Sequence, residues 1–298
     1  MRSWKRPWLS GLLLISPSLI LLAVLVYGLI AWTVNLSMQD RHNARPSKGF
    51  VGLDNYTKLF TGDINDRFTH SLMNLLVFTA VFMVGTLAIG MLWALLLERG
   101  ARAEGLFRTV YLFPMAVSFV ASGVVWRWLM NPGQGADAGG LNAVFGGLGL
   151  DFLQNPWWTD PDWGMAAMAV PAIWQLSGYV MALFLAGFRG IPNELREAAA
   201  MDGASTFQLY RRVLFPQLTP TVLSALIITG HMSMKMFDLI MSVSGAQWLT
   251  EVPAVYVWQT LLTRDYAKAA AISVFLLLIV AVVVVPYLIN VNRAEKRS

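Results

Sequence analysis

The chain has 298 residues, 56% of them hydrophobic and only 13% charged, with a mean hydropathy of +0.56 and a formal charge of +5. Soluble domains carry about 25% charged residues, so this composition excludes an ordinary soluble enzyme and points to a membrane protein. Cysteine is absent and His42, His70 and His231 are scattered, which excludes a disulfide framework and leaves no metal-ligand spacing; no basic stripe with interleaved aromatics marks a nucleic-acid surface.

Crossing a hydrocarbon layer of about 30 Å takes about 20 apolar residues. Six stretches qualify: 9–36, 70–97, 106–130, 164–188, 217–243 and 267–290. "MRSWKRPW" imitates the basic start of a signal peptide. The apolar run from Leu9 to Trp32 is too long for one, and no small-x-small cleavage site follows, so it reads as a retained span. Residues 37–69 form a loop too irregular for a domain. In the third stretch Arg127, between Trp126 and Trp128, is placed to snorkel to the interface. The loop 131–163 has no Lys or Arg but carries Asp137, Asp151, Asp160 and Asp162. Its "NPWWTDPDW" reads as an interfacial aromatic belt, with stacking on a ligand as the alternative.

Lys and Arg set the orientation. With the N-terminus inside, inner segments hold thirteen (Arg2, Lys5, Arg6; Arg99, Arg102, Arg108; Arg189, Arg196, Arg211, Arg212; Arg293, Lys296, Arg297) and outer segments seven. That bias puts both termini in the cytoplasm. The expectation is an all-α, multi-pass membrane protein of six helices, one domain over 1–298, with a cytoplasmic loop at 189–216 and no catalytic domain, hence not an enzyme.

That loop contains "ELREAAAMDGASTFQLYRRVLFP", Glu194 to Pro216. Asn193 after Pro192 is expected to cap a helix on which Leu195, Ala198, Ala199 and Asp202 share a face. Gly203 is placed to end it. Ser205-x-x-Gln208 has the form of a capping box opening a second helix, with Arg211 and Arg212 near its C-terminus. The product is a helix–turn–helix offering small residues and one carboxylate, Glu197, a knob suited to a partner's groove.

Glu197-Ala198-Ala199, Gly203 and Val213-Leu214-Phe215-Pro216 resemble the EAA loop of ABC importer permeases, EAA-x3-G-x9-I-x-L-P, with Val213 for Ile and Phe215 for Leu. The resemblance covers nearly the whole chain. "FVGLDNYTKLF", "RAEGLFRTVYLFPMAVSFVASGVVWRWLMNPGQG", "IWQLSGYVMALFLAGFRGIPNELREAAAMDGAS" and "AKAAAISVFLLLIVAVVVVPYL" are similar to carbohydrate importer permeases of the maltose, α-glucoside, glucose/mannose and glycerol-3-phosphate group. Many relatives carry T-x-G-G-P after the fifth span; here "SVSGAQWLTEVPA" keeps only Ser244-Gly245, so no role is carried over to that loop.

The resemblance implies the type I permease fold in a prokaryotic inner membrane, surrounded by lipid. It also implies a second homologous permease, a dimer of ATPase subunits and an extracytoplasmic sugar-binding protein. Glu197, Ala198, Ala199, Asp202, Gly203 and Pro216 become the ATPase-coupling residues. The chain has no GxxxxGK[ST] loop, so ATP and Mg belong to the ATPase subunits and no cofactor to this chain.

A sugar needs hydrogen-bonding groups and aromatic faces inside the bundle. Trp174, Gln175 and Tyr179 on the fourth span match a W-x-x-x-x-Y run that the maltose permease uses near its sugar; Gln175 bonding a neighbouring helix is the structural alternative. The fifth span carries Thr229, His231, Ser233, Lys235 and Asp238. Ionisable residues at membrane depth mark a pathway or pair with one another, and Lys235 and Asp238 at i,i+3 are candidates for both. A permease for a polyol phosphate and a proton-coupled carrier using Lys235 and Asp238 are the rival readings; the carrier leaves the EAA spacing unexplained.

Overall fold

The computed structural model describes residues 7–42, 49–61, 66–98, 100 and 104–295. Of the positions used for orientation, Arg2, Lys5, Arg6, Arg45, Lys48, Arg99, Arg102, Lys296 and Arg297 lie outside the described residues. Among the described residues there is no strand beyond one isolated bridge, Gln39 with Phe50. The helices are α1 (Pro7–Leu22), α2 (Leu29–Ser37), α3 (Asp54–Thr61), α4 (Arg67–Glu98), α5 (Glu104–Leu112), α6 (Phe119–Leu129), α7 (Gly140–Gly147), α8 (Gly164–Ala167), α9 (Ala169–Arg189), α10 (Asn193–Met201), α11 (Thr206–Leu209), α12 (Phe215–Gln217), α13 (Thr219–Ser233), α14 (Phe237–Val243), α15 (Pro253–Leu262) and α16 (Tyr266–Glu295). They group into two compact units, one of residues up to Thr69 with Tyr256–Ile279, the other His70–Val255 with Val280 onward.

In the first unit, α1 and α2 run on through a π-helical turn, Ala23–Gly28. The following loop is held by Asn55, which donates to the carbonyls of Ser37 (2.7 Å) and Gln39 (2.9 Å). Ser37 and Tyr56 share a hydroxyl–hydroxyl bond of 2.6 Å. Phe60, Phe68 and Phe275 meet edge to face at 5.2–5.6 Å, a geometry that suits aromatic quadrupoles.

Four helical stretches are long and apolar enough to cross a membrane: Gly11–Ser37, Arg67–Glu98, Gly164–Arg189 and Tyr266–Pro286. The third expected span is not continuous, and the fifth is bent at its entry. Between Glu104–Ala116 and Phe119–Leu129 the axis turns by 98°, and between Thr206–Gln217 and Thr219–Ser233 by 61°, so the count is four, or six if each bent pair is one span. The first break has local causes. Pro114 sits in a 3-10 turn, Val117 is extended, and Ser118 caps α6 by accepting from the Ala121 amide at 3.1 Å. The fifth stretch is broken inside at Met234–Met236, a turn between α13 and α14.

In the second unit the helices that follow these breaks pack on each other. A Cβ on Gly123 of α6 would lie 2.5 Å from Ser242 Cβ and 3.1 Å from the Leu239 carbonyl of α14, an approach open only to glycine. The loop 131–163 is compact. Buried Asn142 donates to the carbonyls of Asn131, Gly133 and Asn155 at 2.8–3.1 Å, and its Oδ1 accepts from the Asn155 amide and Trp157 Nε1. This corrects the aromatic-belt expectation for two of the three tryptophans. Trp157 is bonded inside the loop and Trp158 is buried; only Trp163 stands exposed.

Candidate functional site

The loop between α9 and α13 folds as α10 and then a second helical run in which α11, a π-helical turn and α12 follow one another. Asn193 is not the cap: Pro192 occupies that position with no side-chain bond, and Asn193 is the first helical residue. Proline fixes φ for the entry, so the helix starts one residue earlier than an asparagine cap would allow. The far end is a Schellman turn. Gly203, at φ +75°, donates to Ala200, and Ala204 donates to Ala199, both at 3.0 Å. A capping box then opens α11. The Ser205 amide donates to Gln208 Oε1 at 2.8 Å, and the Gln208 amide donates to Ser205 Oγ at 3.3 Å. Arg211 and Arg212 lie in a π-helical turn, Tyr210–Leu214, which leads to Pro216 and the 61° bend.

Of the six coupling candidates, Glu197, Ala198, Asp202, Gly203 and Pro216 are exposed and Ala199 is buried. Thus α10 turns Ala199 and half-buried Arg196 toward the protein. Its outer surface presents Leu195, Glu197, Ala198 and Met201, the last 88% exposed, with Phe207 of α11 nearby in sequence and also exposed. Leu195, Ala198, Ala199 and Asp202 share a side of the helix as its period requires, yet Ala199 stands at that side's edge and packs inward.

Four of the six pathway candidates have definite neighbours. Gln175, 1% exposed, donates through Nε2 to the Val117 carbonyl at 2.7 Å, satisfying a backbone acceptor freed by the break before α6. Its Oε1 is buried with no hydrogen-bond partner. Trp174 meets Trp126 edge to face at 5.9 Å, and Tyr179 is half-buried against the cluster of Val180, Met181 and Phe184. Buried Ser233 accepts from Thr79 Oγ1 at 2.9 Å and donates to the Gly230 carbonyl at 2.7 Å, tying the end of α13 to α4. Lys235 and Asp238 are both exposed, and no ion pair joins them among the described residues. The i,i+3 pairing needs a continuous helix, and the turn at Met234–Met236 places Lys235 outside one.

Residues 86–297 match the model of the binding-protein-dependent transport system inner membrane component. The chain belongs to this family. A probable ABC transporter permease of Pyrococcus horikoshii is 40% identical over 96% of this chain and 97% of its own. The xylose/arabinose import permease of Haloferax volcanii is 31% identical over 90% of this chain and 84% of its own. An alpha-glucoside transport system permease of Rhizobium meliloti is 29% identical over 98% and 83%. Among solved structures, a bacterial alginate ABC transporter, in complex with its alginate pentasaccharide-bound periplasmic protein, superposes with a TM-score of 0.77 at 22% identity, covering 96% of this chain and 95% of the matching one. That likeness carries the importer permease fold.

The permease holds one cluster that the sequence reading missed. Glu98, the last residue of α4, binds Arg196 of α10 at 2.7 Å and accepts the Tyr210 hydroxyl on its other oxygen. One signal was legible: a carboxylate at a helix C-terminus opposes the macrodipole and calls for a cation. As a member of this family the protein is a transport component and not an enzyme.

Proposed function

We propose that the permease is one of two homologous transmembrane subunits of an ATP-driven sugar importer. The observation that carries the reading is the exposed face of α10, closed by Gly203 in a Schellman turn with the EAA-x3-G spacing intact. It is a knob of Ala198 flanked by Leu195, Glu197 and Met201, of the kind that seats in a groove. In this reading six spans with both termini cytoplasmic place α10 against a separate ATPase dimer, which holds ATP and Mg. Closure of that dimer tilts the helices and alternates access to a midplane site. An extracytoplasmic binding protein delivers the solute. A sugar is supported by the names of the relatives and by the tryptophan, glutamine and tyrosine of α9. Trp174, Gln175, Tyr179, Ser233, Lys235 and Asp238 are the proposed pathway residues.

The test is uptake into proteoliposomes containing permease, ATPase and binding protein, using labelled glucose, xylose, maltose and glycerol 3-phosphate. Uptake should need ATP on the ATPase side and survive a protonophore. Uptake driven by a proton gradient without ATP overturns the importer reading; uptake of glycerol 3-phosphate alone replaces sugar with polyol phosphate. Gly203→Val should abolish coupling while the protein still inserts, because a β-branched residue is strained at φ +75° by about 1–2 kcal/mol.

A further inference from the structure

Three elements of the second unit converge on the Glu98 carboxylate. Its Oε1 accepts from Arg196 Nη1 at 2.7 Å and its Oε2 accepts the Tyr210 hydroxyl. Arg196 Nη2 also donates to the Phe188 carbonyl at 3.2 Å, in the last turn of α9. One guanidinium therefore binds the C-terminal ends of α4 and α9 together, the ends where a cation is favoured. Its planar fork serves both acceptors at once, which a lysine ammonium does less well. The Glu98 and Arg196 side chains are only 10% and 25% exposed, so water screens the pair less than an open surface bridge. Behind it Phe188, Tyr210 and Phe215 form a ring cluster with centroids 6.2–6.4 Å apart.

By its own helix Glu98 is misplaced, since a carboxylate in the final turn faces the negative end of the dipole. Among the described residues Arg196, from a loop nearly a hundred positions later, and Tyr210 compensate it. On the opposite side of α10 the exposed residues face away. The arrangement has the geometry of a clasp: the knob outside, and inside it one charged contact to two long helices and a hydroxyl to the returning chain.

We propose that Glu98 and Arg196, with Tyr210, are positioning residues that make α10 move as one body with the cytoplasmic ends of α4 and α9, so that force on the knob reaches the spans. This rests on α10 being the ATPase-docking helix. The absence of cysteine allows spin labels at Asn193→Cys on α10 and Leu92→Cys on α4, both exposed and outside the clasp. Pulsed dipolar spectroscopy then compares the nucleotide-free complex with the complex trapped by ATP and vanadate. In the otherwise unaltered protein the distance distribution should be the same in both states. In Glu98→Ala, which removes the clasp and puts the best helix former at the end of α4, it should shift by about 5 Å, one helical turn, or double in width. Arg196→Lys should fall between, and Tyr210→Phe should broaden the distribution least.

An unaltered protein that itself shifts by that amount overturns the clasp, and so does a Glu98→Ala distribution that matches it in both states. Should Glu98→Ala not be recovered from membranes, Tyr210→Phe, which loses only a hydroxyl, decides by the same criterion. Failure of the unaltered permease to capture the ATPase sinks the docking reading instead. The clasp is then judged by the widths measured on the permease alone, where Glu98→Ala must still be broader.

Discussion

The first and fourth apolar stretches show opposite relations between hydropathy and burial. Gly11–Ser37 reaches a mean hydropathy of 2.5 in its most apolar window and buries none of it, whereas Gly164–Arg189 reaches 1.5 and buries 67%. In water the more apolar helix would take the interior. In a bilayer lipid tails are as apolar as leucine, so a leucine gains little by leaving them; backbone approach at small residues and satisfaction of polar groups select the inner helix. The α9 sequence supplies both. A Cβ on Gly178 would lie 1.8 Å from the Tyr111 carbonyl oxygen, and one on Gly187 2.8 Å from Leu218 and Thr221, while Gln175 closes the backbone of a neighbouring break. Leu13, Leu14, Tyr27 and Trp32, at 64–84% exposure, offer only lipid-compatible surface.

The contrast is most exposed to failure at its two glycines. Gly178→Leu should be the most damaging change, because the obstacle is backbone that cannot rotate away; overpacking costs about 1–3 kcal/mol and more where nothing yields. Loss of a monodisperse peak in detergent, or a large drop in melting temperature, is the expected result. Gly11→Leu, with nothing within 4 Å of its Cβ, should melt with the wild type. Equal effects of the two would erase the distinction.

Gln175→Leu comes next. It leaves the Val117 carbonyl without its donor, and hydrogen bonds between membrane helices are worth about 0.6 kcal/mol on average and about 1.7 at most. Thermal unfolding in detergent should fall by that order, and uptake should fall further if the side chain also meets the solute. A variant less stable but with unchanged uptake per folded protein would make Gln175 a structural residue only.

On the exposed first stretch Leu14→Ala, at 84% exposure, should change the stability of the isolated chain by less than about 0.5 kcal/mol. A shift comparable to that of Gln175→Leu would mean that hydropathy does set burial here.

The smallest effect belongs to Lys58 on α3, which bonds Asp54 at 2.5 Å. The hydrogen bond to Asp54 raises its pKa above the usual 10.5. Its contribution is therefore complete below 10.5 and is lost only as pH climbs through the higher folded value. At 57% side-chain exposure solvent screens it, so melting should be flat from about pH 6 to about pH 9 and Lys58→Ala should be indistinguishable from wild type.

Much of this was legible in the residues. The apolar stretches follow from length alone. The Schellman turn at Gly203 follows from a glycine free to take positive φ, closed by backbone bonds three and five residues back, and the box at Ser205 and Gln208 from two side chains three residues apart. Elsewhere local signals misled. Asn193 is a good cap, but Pro192 had already set the entry angle. "NPWWTDPDW" carries belt residues, yet Asn142, far from them in the loop, draws Trp157 inward. Lys235 and Asp238 have pair spacing on a helix that is not continuous there.

The sequence by itself determined the membrane class, the all-α architecture and the turn chemistry of the loop that holds α10 and α11, because each rests on period, length or contacts a few residues apart. Only the tertiary structure decided that the third stretch turns by 98° at Pro114–Ser118, that Gln175 serves that break, that Ala199 faces inward, and that Glu98 finds Arg196 and Tyr210. For Gln175 and Glu98 the physical reason is the same: each depends on which carbonyl or charged group from a distant segment lies within about 3 Å, and hydrogen bonds lose their strength beyond that range. The size of the turn after Pro114 and the inward face of Ala199 depend on packing around a local start.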